Sequence, residues 1–216
     1  MMMEQKLIAI NYKNKIMKNI LTISILLLSL VSCKAQITIV PLFSTQDIEE
    51  SPNYYHKDVN NDLNKFVGTW KYQNGQDEFT VELQKKLMIN DNDGSYIYDM
   101  IIGEYLYKKN GVIIINTLAD INNITISGHS HNISGSSILH KYNNPRCDLC
   151  TSLERRTRVI INHPIETEVM GDLTLRHRIL NGVEQLEASI INASIMGYNQ
   201  SSYDQMPWGN FVLIKQ

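Results

Sequence analysis

The sequence predicts an all-β, antiparallel fold, and two observations carry this prediction. Three Asn-Gly pairs lie between runs in which apolar and polar residues alternate, at Asn74-Gly75, Asn110-Gly111 and Asn181-Gly182. Asn-Gly favours the tight turn of a β-hairpin, because both residues tolerate the positive φ that this turn needs. Beyond Val67 no stretch keeps a helical period for three turns, which disfavours a parallel βαβ sheet and its nucleotide sites.

The first hairpin follows a short helical turn. Leu63, Phe66 and Val67 have the spacing i, i+3 and i+4, which places their apolar side chains on one face of a single turn. The period then changes to two, and the apolar residues on one face of the two strands are Trp70, Tyr72, Phe79, Val81 and Leu83. This alternation predicts an antiparallel strand pair with one solvent-facing side.

The segment Lys65-Phe66-Val67-Gly68-Thr69-Trp70-Lys71-Tyr72 resembles the Gly-x-Trp signature that opens the first barrel strand of lipocalins and their calycin relatives. The resemblance implies an antiparallel up-and-down β-barrel with a short N-terminal helical turn. It also implies that Trp70 packs across one end of the barrel, with Lys215 over the indole where the family usually has Arg. The family's Thr-Asp-Tyr motif is absent from the sequence. The chain further resembles a family of short secreted bacterial proteins known only as a domain of unknown function, which implies no activity.

Further runs predict the remaining strands of a barrel domain over residues 62–216. These runs are Ser95–Tyr107 with a bulge or bend at Gly103, Val112–Thr117, Ile124–Ile126, Arg155–Asn162, Leu173–Leu180, Val183–Ile191 and Asn210–Lys215. A closed barrel must pair its first strand with its last, so the strands at Trp70 and Phe211 are expected to meet. The polar segment 33–61 is interpreted as a tether in which Ile37–Leu42 adds an edge strand.

The N-terminal segment has the pattern of a secretory signal peptide. Met17-Lys18-Asn19 supplies a charged start, and twelve apolar or hydroxyl residues follow from Ile20 to Val31. This run is shorter than the roughly 20 apolar residues that span a bilayer. We therefore predict that residues 1–32 are a signal peptide whose true start is Met17.

The end of this segment predicts a lipid anchor. Leu30-Val31-Ser32-Cys33 resembles the bacterial lipobox, which implies cleavage before Cys33 and acylation of that cysteine. The alternative is ordinary cleavage after Ala35, which leaves Gln36 as the N-terminus. Either outcome places the protein in the cell envelope, as an outer-membrane lipoprotein held by its lipid or as a periplasmic or secreted protein. We expect a monomer.

The net charge of the mature chain argues against a nucleic-acid partner. Removal of residues 1–32 takes away four Lys and one Glu, so the formal charge changes from 20 − 22 = −2 to 16 − 21 = −5. A mildly acidic domain lacks the basic surface that binds phosphate backbones, and no nucleic-acid partner is expected.

Cys147-Asp148-Leu149-Cys150 predicts a disulfide in an exported protein. The neighbouring Asp148 disfavours a redox-active thiolate. A metal site is the other alternative, in which Cys147 and Cys150 are joined by His140 or by the pair His129 and His131. Some copper-sensing envelope lipoproteins that resemble small barrels carry the same Cys-x-x-Cys spacing.

No catalytic constellation is found, so an enzyme and a cofactor are not expected. The segment Ile126–Gly135 is interpreted as two edge strands with solvent-facing histidines, and it lacks a Gly-x-Ser-x-Gly elbow. His177 alternates with leucines and is expected in the core or at its rim.

Two functions remain open at this point. The barrel binds a small apolar molecule, for which the candidate residues are Trp70, Tyr72, Phe79, Tyr96 and Tyr98, or it serves as an interaction module of the envelope. An open lumen requires small or polar inward residues. The inward candidates are bulky, which favours a narrow or filled interior.

Overall fold

The computed structural model describes residues 13–24, 37–43, 53–90, 94, 97–194 and 197–216. The chain divides into two compact units, Met1–Gln36 and Ile37–Gln216. The described part of the first unit is helix α1, residues 13–24. No helix among the described residues is long and apolar enough to cross a bilayer. Cys33 and Tyr96 lie outside the described residues.

The second unit is almost entirely β-structure. Its strands are β1 (Thr38–Pro41), β2 (Tyr54–Lys57), β3 (Gly68–Asn74), β4 (Asp77–Asn90), β5 (Ile97–Lys109), β6 (Val112–Asn116), β7 (Ile133–Leu139), β8 (Arg156–Asn162), β9 (Met170–Leu180), β10 (Val183–Asn192) and β11 (Gly209–Lys215). Three short 3₁₀ helices, Asn64–Phe66, Leu118–Asn122 and Gly128–Ser130, and helix α2 (Gln200–Asp204) complete it.

Eight of these strands close into an antiparallel barrel, which confirms the predicted fold class. The barrel order is β5-β4-β3-β11-β10-β9-β8-β7, and β7 pairs again with β5. The first barrel strand meets the last as predicted, through Lys71 with Ile214 and Trp70 with Lys215. All the pairings within this ring are antiparallel, and none of its strands is left with an unpaired edge along the whole of its length.

Strand β5 organises the remaining strands, because three partners share one of its edges. Its first residues pair with β2 in parallel, its middle residues pair with β7, and its last residues pair with β6. β4 occupies the opposite edge. The long β5 therefore joins the N-terminal strands and the β6 hairpin to the barrel.

Trp70 closes one end of the barrel beneath the first 3₁₀ helix. The side chain is fully buried and its Nε1 donates a 2.8 Å hydrogen bond to the carbonyl oxygen of Phe66. Lys215 Nζ lies 5.3 Å from the centre of the ring. The helical turn, the tryptophan and the basic residue thus meet as the sequence predicted.

The opposite end is covered by the segment between β10 and β11. Met206 is buried, and its Sδ accepts a hydrogen bond from the hydroxyl of Tyr105. Trp208 packs against Tyr203 with ring centroids 4.8 Å apart and donates from Nε1 to the Tyr203 carbonyl oxygen. No pattern in the sequence indicated that this segment covers the barrel end.

The edge strand expected over Ile37–Leu42 is present as β1, at the end of the sheet order, and the compact unit begins at Ile37. β1 pairs with β2, and Tyr55 of β2 is buried with its hydroxyl hydrogen-bonded to Asp99. Burial first, and then this hydrogen bond to Asp99, raise the pKa of Tyr55. Asp58 is buried as well and accepts from the backbone N–H of Leu63 and from Lys85. These polar contacts hold β2 against the rest of the unit. They explain why the apolar pattern of the sequence did not predict β2 as a strand.

Two further local predictions need correction. Ile124–Ile126 forms no strand, and Ile124 is 98% exposed in a loop. Gly103 is not a bulge, since it pairs with both Leu83 and Ile133, and a Cβ there would lie 2.5 Å from Leu83 Cδ2. The position requires glycine because two strands pack closely over it.

The first hairpin turn also differs from its prediction. Asn74 pairs with Asp77, so Gly75 and Gln76 are the central residues, and only Gly75 has a positive φ, at 58°. Asn110-Gly111 and Asn181-Gly182 both have the two positive φ angles of a type I′ turn.

Replacement of Trp70 by Ala is expected to lower the free energy of unfolding by about 3 to 5 kcal/mol, because the change leaves a cavity beneath the 3₁₀ helix. Trp208→Ala is the matched control and is expected to cost less, since Trp208 is only half-buried. Urea unfolding of both variants measures the difference. Equal losses would contradict the role given to Trp70.

Candidate functional site

The barrel interior is filled by side chains. Trp70 and Phe79 are fully buried in the main core, and the Phe79 ring packs against Phe211 and Tyr105 at centroid distances of 5.0 and 6.2 Å. Tyr72 packs against the same Phe211 at 5.1 Å. An eight-stranded barrel has an interior just wide enough for side chains to fill it.

Of the aromatic residues proposed to bind a ligand, the four that the structure describes lie in two separate apolar clusters. Trp70, Tyr72 and Phe79 pack within the barrel. Tyr98 belongs instead to a second apolar cluster, built on Met100, Ile102 and Ile121.

A groove of about 540 Å³ lies against the outward residues of β9, β10 and β11. Loop residues 145–149 line one side of it, and this segment is called the disulfide loop below. Three uncharged polar residues lie opposite one another along the groove, Thr174, Ser189 and Asn210, which are directly paired across the three strands. The groove thus has a polar floor and a loop beside it.

The disulfide between Cys147 and Cys150 is present as predicted, with Cα atoms 5.4 Å apart. Both sulfur atoms are bonded to each other and so are not available as thiolate ligands. Nδ1 of His140, the third member of the alternative metal site, accepts a hydrogen bond from the Tyr142 backbone. Within the described part of the chain, no group of three His, Cys, Asp or Glu residues could hold a metal ion.

Arg176 of β9 attaches the disulfide loop to the barrel wall. Its Nη2 donates a 3.0 Å hydrogen bond to the Leu149 carbonyl oxygen. The same guanidinium forms ion pairs with Glu154, which follows the loop, and with Glu187 of β10. The hydrogen bond from Arg176 is the main cause that lowers the pKa of Glu154. Arg176 is therefore fully occupied by partners within the protein.

Arg156 is the unusual group of the groove. Its side chain lines the groove, and the residue is only 4% exposed. Nη2 donates to the carbonyl oxygens of His140 and Asn143, at 3.0 and 3.5 Å. Nε is buried and has no hydrogen-bond partner among the described residues. Burial first, and the nearby Arg176 second, lower the pKa of Arg156, while Glu154 acts in the opposite direction.

No sequence pattern distinguishes Arg156 or Arg176 from the other arginines of the strands. Arginines that alternate with apolar residues on a strand are typical of a solvated outer face, and that interpretation holds for Arg178, whose side chain is 41% exposed. Arg156 and Arg176 are buried because the loop between β7 and β8 contacts them. The Cys-x-x-Cys motif marked this loop but not the surface beneath it.

The histidines follow their predicted placement only in part. His131 is buried rather than solvent-facing, and its Nδ1 lies 2.8 Å from Oε1 of the fully buried Glu104. His131 and Glu104 come from distant parts of the chain, so local sequence does not reveal their contact. His129 contacts Tyr98, with ring centroids 5.6 Å apart. His177 lies at the rim as expected, 6.0 Å from the Trp70 ring.

The fold and the groove together define a closed, eight-stranded antiparallel β-barrel with a disulfide-bonded loop beside a groove on its outer wall. The chain belongs to a family of unknown function, DUF6705, whose model matches residues 17–216. No curated protein and no solved structure matches the chain. The family assignment therefore adds no activity to what the geometry indicates.

Replacement of both Cys147 and Cys150 by Ser is expected to lower the free energy of unfolding by no more than about 2 kcal/mol, because the bond closes a very small loop. Calorimetry of the variant and of the oxidised protein measures the difference. A much larger loss would show that the barrel itself depends on the disulfide. One equivalent of bound metal, together with free thiols in the native protein, would contradict the disulfide directly.

Proposed function

We propose that this protein is an exported, lipid-anchored binding module of the cell envelope, and that it binds its ligand in the outer groove rather than in the barrel interior. One observation carries the proposal: the disulfide, a bond typical of oxidising compartments, lies in the loop that forms one side of the groove. Export and ligand binding are thus supported by the same segment.

The volume and lining of the groove support the binding part of the proposal. Pockets for small molecules are usually about 300 to 1,000 Å³ and combine apolar walls with a few fixed polar groups. The groove has about 540 Å³, and its lining includes Leu149, Ala188 and Val212 beside the polar floor residues. The barrel interior offers no comparable space around Trp70 and Phe79, because their rings contact neighbouring side chains.

Export and anchoring are supported by the sequence. The charged start at Met17, the apolar run and the lipobox-like Leu30-Val31-Ser32-Cys33 are the pattern of a lipoprotein signal. An acylated N-terminus would hold the module at a membrane surface, since each buried CH₂ of an acyl chain contributes about 0.8 kcal/mol.

Mass spectrometry of the mature N-terminus tests the anchor. We expect an acylated Cys33 as the first residue, and a protein that partitions into detergent. Cys33→Ser is the control and is expected to give an unacylated protein that stays in the aqueous phase. A native peptide that begins at unmodified Gln36 would contradict the anchor and leave only export.

A fragment screen by amide NMR tests the groove. We expect the largest shifts at groove residues such as Leu149, Ser189 and Val212. Ser189→Trp fills the groove and is expected to weaken fragment binding at least about tenfold. Gln185→Trp is the matched control, since residue 185 lies on the same strand and the same face but outside the groove, and it should leave binding unchanged.

The same screen also has an outcome that contradicts the proposal. Shifts that concentrate on inward residues of the barrel, and that persist in Ser189→Trp, would place ligand binding in the interior and not in the groove.

A further inference from the structure

We propose that the groove recognises a carboxylate, and that Arg156 is the residue that binds it. This inference rests on the proposed function of the groove and names the chemical class of its ligand. It starts from Arg156, a residue of the groove lining whose Nε is buried and has no hydrogen-bond partner among the described residues.

The other arginines of the groove are neutralised within the protein. Arg146 pairs with Asp148 at 2.6 Å, and Arg176 pairs with both Glu154 and Glu187. Among the described residues, no carboxylate lies within ion-pair distance of Arg156, which donates hydrogen bonds to two backbone carbonyl oxygens. A buried charge without a counter-ion is costly, and binding an anion removes that cost.

The position of Arg156 in the sheet increases this cost. Thr157 pairs with Leu175, so Arg156 lies beside Arg176 on the neighbouring strand. Like charges on adjacent strands destabilise a sheet, and the Arg176 guanidinium indeed lowers the pKa of Arg156. Glu154 opposes that effect but is already hydrogen-bonded to Arg176.

The lining favours a singly charged anion over a doubly charged one. Asp148 and Glu187 also line the groove and would repel excess negative charge. A phosphate group carries about −1.5 to −2 charges at neutral pH, whereas a carboxylate carries one. The planar guanidinium fork matches a carboxylate, and the floor residues Thr174, Ser189 and Asn210 offer uncharged hydrogen-bonding groups to the rest of the ligand.

The test is a titration of the full-length mature protein, with its disulfide intact, followed by amide NMR. N-acetylglycine and galacturonate are the carboxylate probes, and they distinguish an amide-bearing ligand from a sugar acid. N-acetylglycinamide is the uncharged control, and inorganic phosphate is the doubly charged one. We expect one or both carboxylates to shift the amides of Leu149, Ser189 and Asn210, with weaker binding of phosphate and no response to the uncharged amide.

Variants assign this binding to Arg156. Arg156→Met is expected to weaken carboxylate binding at least about tenfold, since it removes a charge-assisted hydrogen bond. Arg158→Met is the matched control, because residue 158 lies two positions along the same strand but does not line the groove, and its binding should match that of the native protein. Arg156→Lys keeps the charge and supplies a second measurement if the Met variant does not fold. We expect it to bind the probes more weakly as well.

Several results would overturn the inference. These are no groove shifts with either carboxylate, equal shifts with the uncharged amide, or tighter binding of phosphate. Unchanged carboxylate affinity in both Arg156 variants would also overturn it. If other fragments still bind the groove and lose affinity in Ser189→Trp, the proposed function stands and only the assignment of a carboxylate fails. If no compound binds there, both fail.

Discussion

Closure of the barrel around Trp70 is the constraint on which the rest of the structure depends. β3 and β11 are joined by only two paired positions in the ladder, at Lys71 with Ile214 and at Trp70 with Lys215. The indole supports this short seam from inside, through its hydrogen bond to Phe66 and its contact with Lys215. A sheet that failed to close here would expose two strand edges and the core between them.

Closure by bulky side chains has a consequence for function. Because aromatic and branched residues fill the interior, the ligand site that we propose lies on the outer wall. The 540 Å³ groove is built in this way, from outward residues of the strands and from the loop that Arg176 attaches to them. Arg156 lies in the lining of this groove, with its buried Nε left without a hydrogen-bond partner among the described residues.

Local patterns predicted the fold well, and they failed where contacts between distant segments decide the structure. Alternation, Asn-Gly turns and the segment around Trp70 were sufficient for an antiparallel barrel whose first and last strands pair. β2 was missed because only Tyr55 of its four residues is buried, and because polar groups of Asp58 and Asp99 hold it in place. The disulfide was predicted from its spacing, but the burial of Arg156 depends on how the loop folds back, which alternation along β8 does not encode.

The central claim, that the barrel is filled and its outer wall carries the binding surface, can be measured most directly by xenon binding in crystals of the protein. Xenon occupies dry apolar cavities that side chains leave empty. The account predicts no xenon site among Trp70, Phe79 and Leu173, because all three are fully buried in one packed core. An ordered xenon atom in contact with these residues would reveal an internal cavity and contradict the account.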